Sequence, residues 1–247
     1  MLEGTDGTYE AGLAAAYDDM FLDAFRLDTA GAVAFLRSLA EDRPLLELGV
    51  GTGRVAIPLA DWGNDVVGID TSEPMLEILR SKPGSGKVHA GIGDMADFDL
   101  GRTFPVIYAV WNTFFSLLTP EAQASCFACV AKHLEPGGAF VMQCFVPDAD
   151  QFDRDQRLDV ESSGPDDLVV DASTHDRETQ RVDNVHIQVS GGRVAIAAVK
   201  IRYAFVEELD TMAEAAGLTL AERVSDWDRT PFPGPKGNHI SVWQKPA

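Results

Sequence analysis

The amino-acid sequence predicts an α/β protein, in which a doubly wound, seven-stranded sheet carries an antiparallel β insertion after its fifth strand. Three observations support this prediction. Short apolar runs alternate with amphipathic segments over residues 44–147, as expected for parallel strands that helices cover on both faces. A glycine-rich turn joins the first run to the helix that follows it. Residues 148–205 instead alternate apolar and polar side chains, which indicates antiparallel strands.

Composition and charge limit the classes of function. The 247 residues are enough for one large domain with an elaboration. The formal net charge of −19 opposes contact with nucleic-acid phosphates or anionic lipid, so we expect a small-molecule partner, no nucleic acid and no membrane. The sequence shows neither an apolar run of ~20 residues nor a signal-peptide pattern, and we expect a cytoplasmic protein.

The cysteines do not indicate a metal or redox site. Cys126 and Cys129 have the spacing of a zinc or redox pair, but they lie in a segment with helical periodicity, and no second pair follows. We therefore expect these side chains to pack in the core, with no bound metal and no disulfide, which fits a reducing compartment.

The first predicted strand ends in a turn that can hold a ligand. Residues 45–54 read Leu-Leu-Glu-Leu-Gly-Val-Gly-Thr-Gly-Arg, and the glycines allow the backbone to approach a ligand closely. The turn also satisfies the G-x-G-x-x-A dinucleotide pattern, so NAD binding stays open. Glu47, however, comes just before the turn. Its carboxylate suits a ligand with a cationic amino-acid end better than a pyrophosphate, which it would repel.

The next two predicted strands each end beside an acidic residue. Val66 to Asp70 is the second strand, and Asp70 falls at the spacing where a carboxylate accepts hydrogen bonds from two ribose hydroxyls. This role is common to several adenosine ligands and does not choose between them. Val88 to Ile92 is the third strand, and it ends at Gly93-Asp94-Met95.

The Glu-x-Gly-x-Gly-x-Gly turn and the Asp94-Met95 pair together resemble the class I, Rossmann-like methyltransferases that depend on S-adenosylmethionine (SAM). Within that family, the chain is similar to the small-molecule enzymes of the glycine N-methyltransferase and amino-sugar N,N-dimethyltransferase type. The resemblance implies SAM as the cofactor. It also implies that Asp94 accepts from the adenine amino group and that the backbone N–H of Met95 reaches the ring.

The resemblance implies a set of cofactor-binding residues at the ends of the strands and in the leading helix. They are Tyr17, Glu47, Gly49, Gly51, Gly53, Asp70, Met75, Asp94, Met95 and Trp111. Tyr17 lies in a helix predicted from Tyr9 to about Leu27. In many small-molecule methyltransferases a Tyr-Asp in this helix folds over the cofactor, and packing of Tyr17 on the core is an equal alternative.

The fourth predicted strand, Phe104 to Val110, runs directly into Trp111-Asn112-Thr113-Phe114-Phe115. The carboxyl ends of strands in such sheets form the ligand crevice. We therefore expect Trp111 beside the cofactor, with Asn112 and Phe115 at the acceptor. Of Phe114 and Phe115, we expect one to pack in the core.

The fifth predicted strand, Ala139 to Val146, precedes a stretch of different character. Period-2 alternation covers Leu168–Thr174, Val182–Val189 and Val194–Tyr203, with a hairpin turn at Ser190-Gly191-Gly192. Antiparallel strands inserted here cannot belong to the parallel core. We interpret them as a lid over the crevice that supplies acceptor specificity, and a homodimer through this accessory sheet is plausible.

Methyl transfer from a sulfonium is an in-line displacement, for which the protein mainly aligns the reactants and excludes water. A base is needed only if the acceptor carries a proton of high pKa. The candidate bases are His175, His186, Tyr203 and His239. We predict His175 and Tyr203 as catalytic residues. The predicted substrate-binding residues are Asn112, Phe115, Arg202 and His239.

A helix from Val206 to Ala216 and two strands, Leu218–Val224 and His239–Gln244, complete the predicted chain. An antiparallel edge hairpin at this place is typical of the same methyltransferases. Four segments result. Residues 1–43 form helices over the cofactor site, 44–147 the SAM-binding core, 148–205 the accessory sheet, and 206–247 the last helix and hairpin.

The predicted function is transfer of a methyl group from SAM to a nitrogen or oxygen of a small metabolite, with a natural-product intermediate as the expected acceptor. Two alternatives stay open. One is a SAM-binding protein without methyl transfer, and the other is an NAD-dependent oxidoreductase. The sequence identifies neither the acceptor nor the atom that is methylated.

Overall fold

The computed structural model describes residues 28–164 and 167–247. The core elements follow in chain order: α1 Thr29–Ala40, β1 Leu45–Leu48, α2 Ala56–Asp61, β2 Val66–Asp70, α3 Glu73–Ser81, β3 Val88–Ile92, β4 Phe104–Ala109, α4 Pro120–His133 and β5 Leu134–Phe145. The accessory strands are β6 Gln156–Ser163, β7 Asp167–Asp176, β8 Arg181–Ser190 and β9 Arg193–Arg202, and the chain ends with α5 Val206–Ala215, β10 Thr219–Val224 and β11 Asn238–Gln244. The predicted leading helix and Tyr17 lie outside the described residues.

The larger sheet has the strand order β10-β11-β5-β4-β1-β2-β3. Strands β1 to β5 run parallel, and β11 pairs antiparallel with both β5 and β10. Two buried clusters cover its faces. One includes apolar residues of α4 and α5, and the other includes those of α1, α2 and α3. This arrangement confirms the predicted doubly wound, seven-stranded sheet. Helices are needed on both faces because core strands such as β4 are apolar throughout, and every residue of β4 is buried.

Local sequence signals set the helix ends. The Ser72 hydroxyl accepts from the N–H of Met75 at the start of α3, and Thr119 accepts from Ala122 at the start of α4. Strand β5 begins at Leu134 rather than at the predicted Ala139, because Leu134 already pairs with Phe104, and the Pro-Gly-Gly segment forms an irregularity before the register resumes at Ala139. None of the helices in the described part of the chain is long and apolar enough to cross a bilayer.

The accessory sheet is a four-stranded antiparallel meander, β6-β7-β8-β9. The alternation had predicted three of these strands, and β6 is a fourth. Strand β6 escaped prediction because Arg157, Asp159 and Glu161 alternate with only two apolar residues, Leu158 and Val160. The insertion after the fifth strand is thus confirmed as a separate antiparallel sheet.

Candidate active site

A cavity of about 630 Å³ lies between the carboxyl ends of the core strands and the accessory sheet. On the core side it is lined by residues of the glycine turn, of the segments after β2, β3 and β4, and of the stretch after β5. Alternate residues of β6 to β9 form the opposite wall. We call this wall the inner face of the accessory sheet, and it comprises Arg157, Asp159, Glu161, Asp171, Ser173, Val182, Asn184, Val199 and Ile201, with Tyr203 just beyond β9.

The glycine turn contributes open backbone to the cavity. Gly49, Gly51 and Gly53 have φ of +69°, +52° and +81°, a region that L side chains rarely adopt. A Cβ at Gly49 would lie 2.2 Å from the Thr113 Cγ2, and one at Gly53 would lie 2.9 Å from the Leu79 Cγ. A Cβ at Gly51 would meet nothing within 4 Å. Gly51 therefore borders free volume that a ligand can fill, whereas Gly53, which does not line the cavity, is required by packing.

Asp70 is held at the cavity wall by backbone donors. Its Oδ2 accepts from the N–H of Gly51 and its Oδ1 accepts from the N–H of Ser72, both at 2.8 Å. Burial raises the pKa of this carboxyl, and the backbone hydrogen bonds oppose that shift. Each carboxylate oxygen has a further lone pair. The carboxylate is thus fixed in place and can still accept hydrogen bonds from a pair of hydroxyls.

Apolar side chains meet the cavity beyond Asp70. Met75 and Met95 both line it and are largely buried, which suits the faces of a heteroaromatic ring. Asp94 lies between two lining residues, Gly93 and Met95, but does not line the cavity itself. Its Oδ1 accepts from the N–H of Ala96 at 2.8 Å and closes a local turn.

Glu47 lies beneath the glycine turn and outside the cavity lining. It is 3% exposed, and the Tyr108 hydroxyl donates to its Oε2 at 2.9 Å. Burial raises the pKa of Glu47 to about 8. Like Gly53 and Asp94, Glu47 therefore lies outside the cavity lining, because all four residues of β1 are buried between helices and neighbouring strands. The sequence did not reveal its partner Tyr108.

Trp111 and Asn112 form an unusual turn at the cavity wall. Both have φ of +60°, which is uncommon for residues other than glycine and worth about 1–3 kcal/mol of strain each. The turn is tied to β5. The N–H of Trp111 donates to Oε1 of Gln143 at 3.2 Å, and Oδ1 of Asn112 accepts from the N–H of Phe145 at 2.8 Å. Both residues line the cavity, as predicted from the sequence.

Phe114 and Phe115 are both fully buried, whereas we had expected only one of them in the core. Phe114 packs on Phe127 with a ring-centroid distance of 5.4 Å, and Phe115 packs on Phe145 at 5.1 Å. Phe145, not Phe115, lines the cavity. The short 3₁₀ helix at Thr113–Ser116 turns both rings inward, which the sequence pattern alone did not show.

Tyr203 and His175 form a hydrogen-bonded pair at the acceptor side. The Tyr203 hydroxyl lies 2.9 Å from His175 Nε2. Tyr203 lines the cavity, whereas His175 lies behind it, 6% exposed, with the Phe152 ring 4.6 Å from its own. Burial lowers the pKa of His175 and raises the pKa of Tyr203. Both groups are therefore neutral near pH 7, as a phenol and an imidazole.

Besides Phe115, two more predicted substrate-binding residues, Arg202 and His239, do not line the cavity. Arg202 donates to Gln123 Oε1 at 2.5 Å, and to Gln180 Oε1 at 2.8 Å and Glu208 Oε1 at 2.6 Å, so it ties β9 to α4 and α5. His239 is fully buried, with its Nδ1 2.9 Å from Ser241 Oγ. Side chains alternate along a strand. Arg202 therefore points away because its neighbours Ile201 and Tyr203 line the cavity, as does Asn238 beside His239.

The sequence pattern does not reveal most of the polar inner face. Asp159, Glu161 and Asp171 line the cavity, and none of them was singled out. His186, a candidate base, lies behind this wall with its Nδ1 3.1 Å from Asp171 Oδ1. The period of two in β7 and β8 could have identified Asp171 and Asn184 once the cavity-facing register was known. That register follows only from tertiary packing.

Comparison with known proteins gives one consistent result. A family profile described as "Methyltransferase domain" matches residues 45–138. The cypemycin N-terminal methyltransferase of a Streptomyces species is 31% identical over 215 residues, which are 83% of this chain and 87% of that protein. The dTDP-3-amino-3,4,6-trideoxy-α-D-glucopyranose N,N-dimethyltransferase of Streptomyces venezuelae is 31% identical over 140 residues, 55% of this chain and 58% of that one.

A solved structure extends the similarity to the whole chain. The CcbJ methyltransferase from Streptomyces caelestis superposes with a TM-score of 0.91 at 38% identity, covering 99% of this chain and 100% of that one. The similarity therefore includes the accessory sheet as well as the strands and helices around the glycine turn.

Proposed function

Because the chain belongs to the SAM-dependent methyltransferases, we propose that it transfers the methyl group of SAM to an amine nitrogen of a small natural product. One observation carries the proposal. A single cavity runs from the glycine turn to the inner face of the accessory sheet, so cofactor and acceptor would share one volume of the size usual for ligand pockets. The names of two relatives specify an N-terminus and the amine of an amino sugar as the methylated groups, which favours nitrogen over oxygen.

The core side of the cavity fits SAM. The free volume over Gly51 would take the ligand chain, the Asp70 carboxylate would accept from the ribose hydroxyls, and Met75 and Met95 would pack on adenine. Gly49 and Trp111 complete this wall. Bound SAM supplies a methyl group that its positive sulfur has already activated.

Some predicted cofactor residues have indirect roles in this proposal. Glu47 and Gly53 would shape the turn from within, and Asp94 would act from the rim of the cavity. A direct role for Tyr17 stays a prediction. The four segments 1–43, 44–147, 148–205 and 206–247 likewise remain our proposed division into cofactor cover, core, acceptor sheet and terminal hairpin.

The acceptor side would orient and deprotonate the amine. The oxygen of the Tyr203 hydroxyl would accept a hydrogen bond from one N–H of the acceptor amine. This hydrogen bond would orient the nitrogen lone pair towards the methyl group. As the nitrogen loses a proton to the Tyr203 oxygen, the tyrosine proton would pass to His175 Nε2, 2.9 Å away. Asn112 would hold the turn beside the acceptor, since its amide is fixed to β5. The cavity walls would exclude water.

Product analysis tests this proposal. The protein would be incubated with isotopically labelled SAM and two amine panels, short peptides with free N-termini and amino sugars, and the products weighed by mass spectrometry. We expect one or two methyl groups on nitrogen in at least one panel. Tight cofactor binding with no methylated product in either panel, or methylation on oxygen alone, would contradict it.

We also propose that the protein is a homodimer, because the outer face of the accessory sheet is apolar and exposed. The apolar part of this outer face comprises Leu158, Val160, Leu168, Val170, Ala172, Val185, Ile187, Val189, Val194, Ile196 and Ala198. One row crosses all four strands, from Val160 through Val170 and Ile187 to Ile196. Val160 and Ile196, at its two ends, are 60% and 55% exposed.

The size of the outer face fits a second copy of the chain. Four strands about 4.8 Å apart and about 33 Å long cover roughly 600 Å². Two such faces packed as a sandwich would bury roughly 1,200 Å² in total, the lower limit of a standard interface. The full strand length also includes the directly opposite residues Asp183 and Lys200 on this face. Their charges are opposite in sign and the apolar positions carry none, so the strongly acidic copies could approach here with little repulsion.

Light scattering during size exclusion tests the homodimer. We expect a dimer that Val160→Glu and Ile196→Glu convert to monomer, whereas Leu220→Glu, at an exposed position of β10, leaves it intact. A monomeric wild-type protein, or a dimer that resists both outer-face substitutions, would contradict this proposal.

The three cysteines are free, and we place the protein in the cytoplasm, with no nucleic-acid or membrane partner.

A further inference from the structure

The ionisable groups of the cavity are mostly acidic. Among the described residues, its lining includes the carboxylates Asp70, Asp148, Asp159, Glu161 and Asp171, but only two cations, Arg157 and Lys236. Outside the described ranges the sequence offers one basic side chain, Arg26, against several acidic ones. The excess of negative charge is therefore a property of the lining formed by residues 28–164 and 167–247.

Both cations of the lining are already paired with carboxylates of the same lining. Lys236 Nζ lies 2.9 Å from Asp148 Oδ2. The Arg157 guanidinium contacts Asp159 Oδ2 and also donates to Gln151 Oε1. Each of these positive charges is therefore offset by a neighbouring carboxylate.

The acidic groups of the inner face lie along β6 and β7, away from His175. Asp171 is four residues along β7 from His175, about 13 Å for an extended strand. Asp159 stands opposite Asp171 in the register of β6 and β7, and Glu161 lies one further step along β6. No cation lies in ion-pair range of Glu161 among the described residues, and Asp171 bonds only to an imidazole, that of His186.

The reacting end of the cavity has a different character. Beside Tyr203, this end of the cavity is lined by the apolar side chains of Val182, Val199, Ile201 and Phe145. An acceptor that spans the cavity would thus place its amine in an apolar, aromatic region and its distal end against carboxylates.

We infer that the acceptor carries no phosphate and that the group about 13 Å from its methylated nitrogen is cationic or a neutral hydrogen-bond donor. The inference rests on the proposed function and narrows its substrate class. A nucleoside-diphosphate sugar, the class named for the relative from Streptomyces venezuelae, would bring negative charge against Glu161 and Asp171, where like charges repel. An amine on a peptide-like scaffold meets no such repulsion.

Binding to the protein saturated with S-adenosylhomocysteine (SAH) tests the inference. The probes are five-residue peptide amides of alanine that differ only in a lysine, glutamine or glutamate at the fifth position, which an extended chain places about 13 Å from the N-terminus. Thymidine and thymidine diphosphate form a second pair. We expect the lysine peptide to bind about tenfold or more tightly than the glutamate peptide, and the diphosphate to add no affinity to thymidine.

A pair of double variants distinguishes the effect of the carboxylates in the cavity lining from the effect of the protein's overall negative charge. Glu161→Gln with Asp171→Asn should bring the lysine and glutamate peptides within about twofold of each other. The control, Glu178→Gln with Asp183→Asn, removes the same charge from exposed positions outside the lining and should keep the full difference.

The outcomes distinguish the two proposals. Failure of SAH itself to bind would contradict the proposed function. If SAH binds, then equal or tighter binding of the glutamate peptide, tighter binding of thymidine diphosphate than of thymidine, or no binding of the lysine peptide at millimolar concentration would each overturn the inference alone.

Discussion

The hydroxyl of Tyr203, at the cavity wall, lies 2.9 Å from Nε2 of His175, which is buried behind it. No hydrogen-bond partner among the described residues reaches the other ring nitrogen, Nδ1. A buried imidazole with one unpartnered nitrogen costs stability. This cost is understandable if the pair serves to orient an acceptor and take up its proton.

The first prediction concerns the Tyr203 hydroxyl. Tyr203→Phe removes the group that would contact the acceptor nitrogen, and it should lower kcat by about 10²-fold, the lower range for lost proton transfer. The dissociation constant for SAH should stay unchanged. His175→Gln should lower kcat less, and the double variant should be no slower than Tyr203→Phe alone, since the two residues act in series. Additive losses would show that the residues act independently.

The second prediction is a pH profile. His175 must be neutral to accept a proton, and its pKa lies below the ordinary value because burial and Arg177 disfavour the cation, against the opposite effect of Asp155 and Asp176. As the pH is lowered, kcat should therefore stay constant down to ~6.5, which is the ordinary pKa of histidine. It should decrease only at pH values below that. His175→Gln should remove this acidic limb. A limb centred at or above that value, or one that persists in the variant, would contradict the assignment.

The third prediction separates two glycines of the same turn. Gly51 and Gly49 both have a left-handed φ. An alanine in this conformation is strained by about 1–2 kcal/mol. Only at Gly49 would the new Cβ also clash, with Thr113. Gly51→Ala should weaken SAH binding at a modest loss of stability, whereas Gly49→Ala should lose clearly more stability. Calorimetry and urea unfolding measure the two effects, and equal stability losses would contradict this geometry.

The fourth prediction concerns Glu47. Its pKa in the folded protein is about 8 against an ordinary value of 4.5, so the folded state binds the proton more tightly than the unfolded state. This contribution to stability is fully present below pH 4.5 and is lost as pH rises towards 8. Glu47→Gln keeps the shape and cannot ionise. The stability of the wild type relative to this variant, from urea unfolding, should fall between pH 5 and pH 8, and a flat difference would place Glu47 in contact with solvent or a cation.

The sequence predicted the elements well where a single physical signal decides them. Strands Val66–Asp70 and Val88–Ile92 have the predicted bounds, because apolar runs between turn residues have few alternatives. The glycine turn was recognisable because its three left-handed positions require glycine. Asp70 was placed correctly at the cavity by its position at the end of a strand.

It was harder to predict which side chains point into the cavity. Arg202 and His239 each neighbour a residue that lines the cavity, and a shift of one residue reverses the face of a strand side chain. Phe115 depended on a 3₁₀ turn. Asp159 and Glu161 of the inner face belong to β6, whose exposed apolar and cavity-facing charged residues invert the usual pattern.

The most direct test of the account is calorimetric titration with SAH, with NADH in parallel. We expect stoichiometric SAH binding that Asp70→Ala weakens at least about tenfold, since a carboxylate bound to ribose hydroxyls is lost, and that Asp42→Ala, at an exposed position away from the cavity, leaves unchanged. NADH should not bind. Saturable NADH binding with no SAH binding, or SAH binding indifferent to Asp70→Ala, would contradict the assignment of this cavity to the methyl donor.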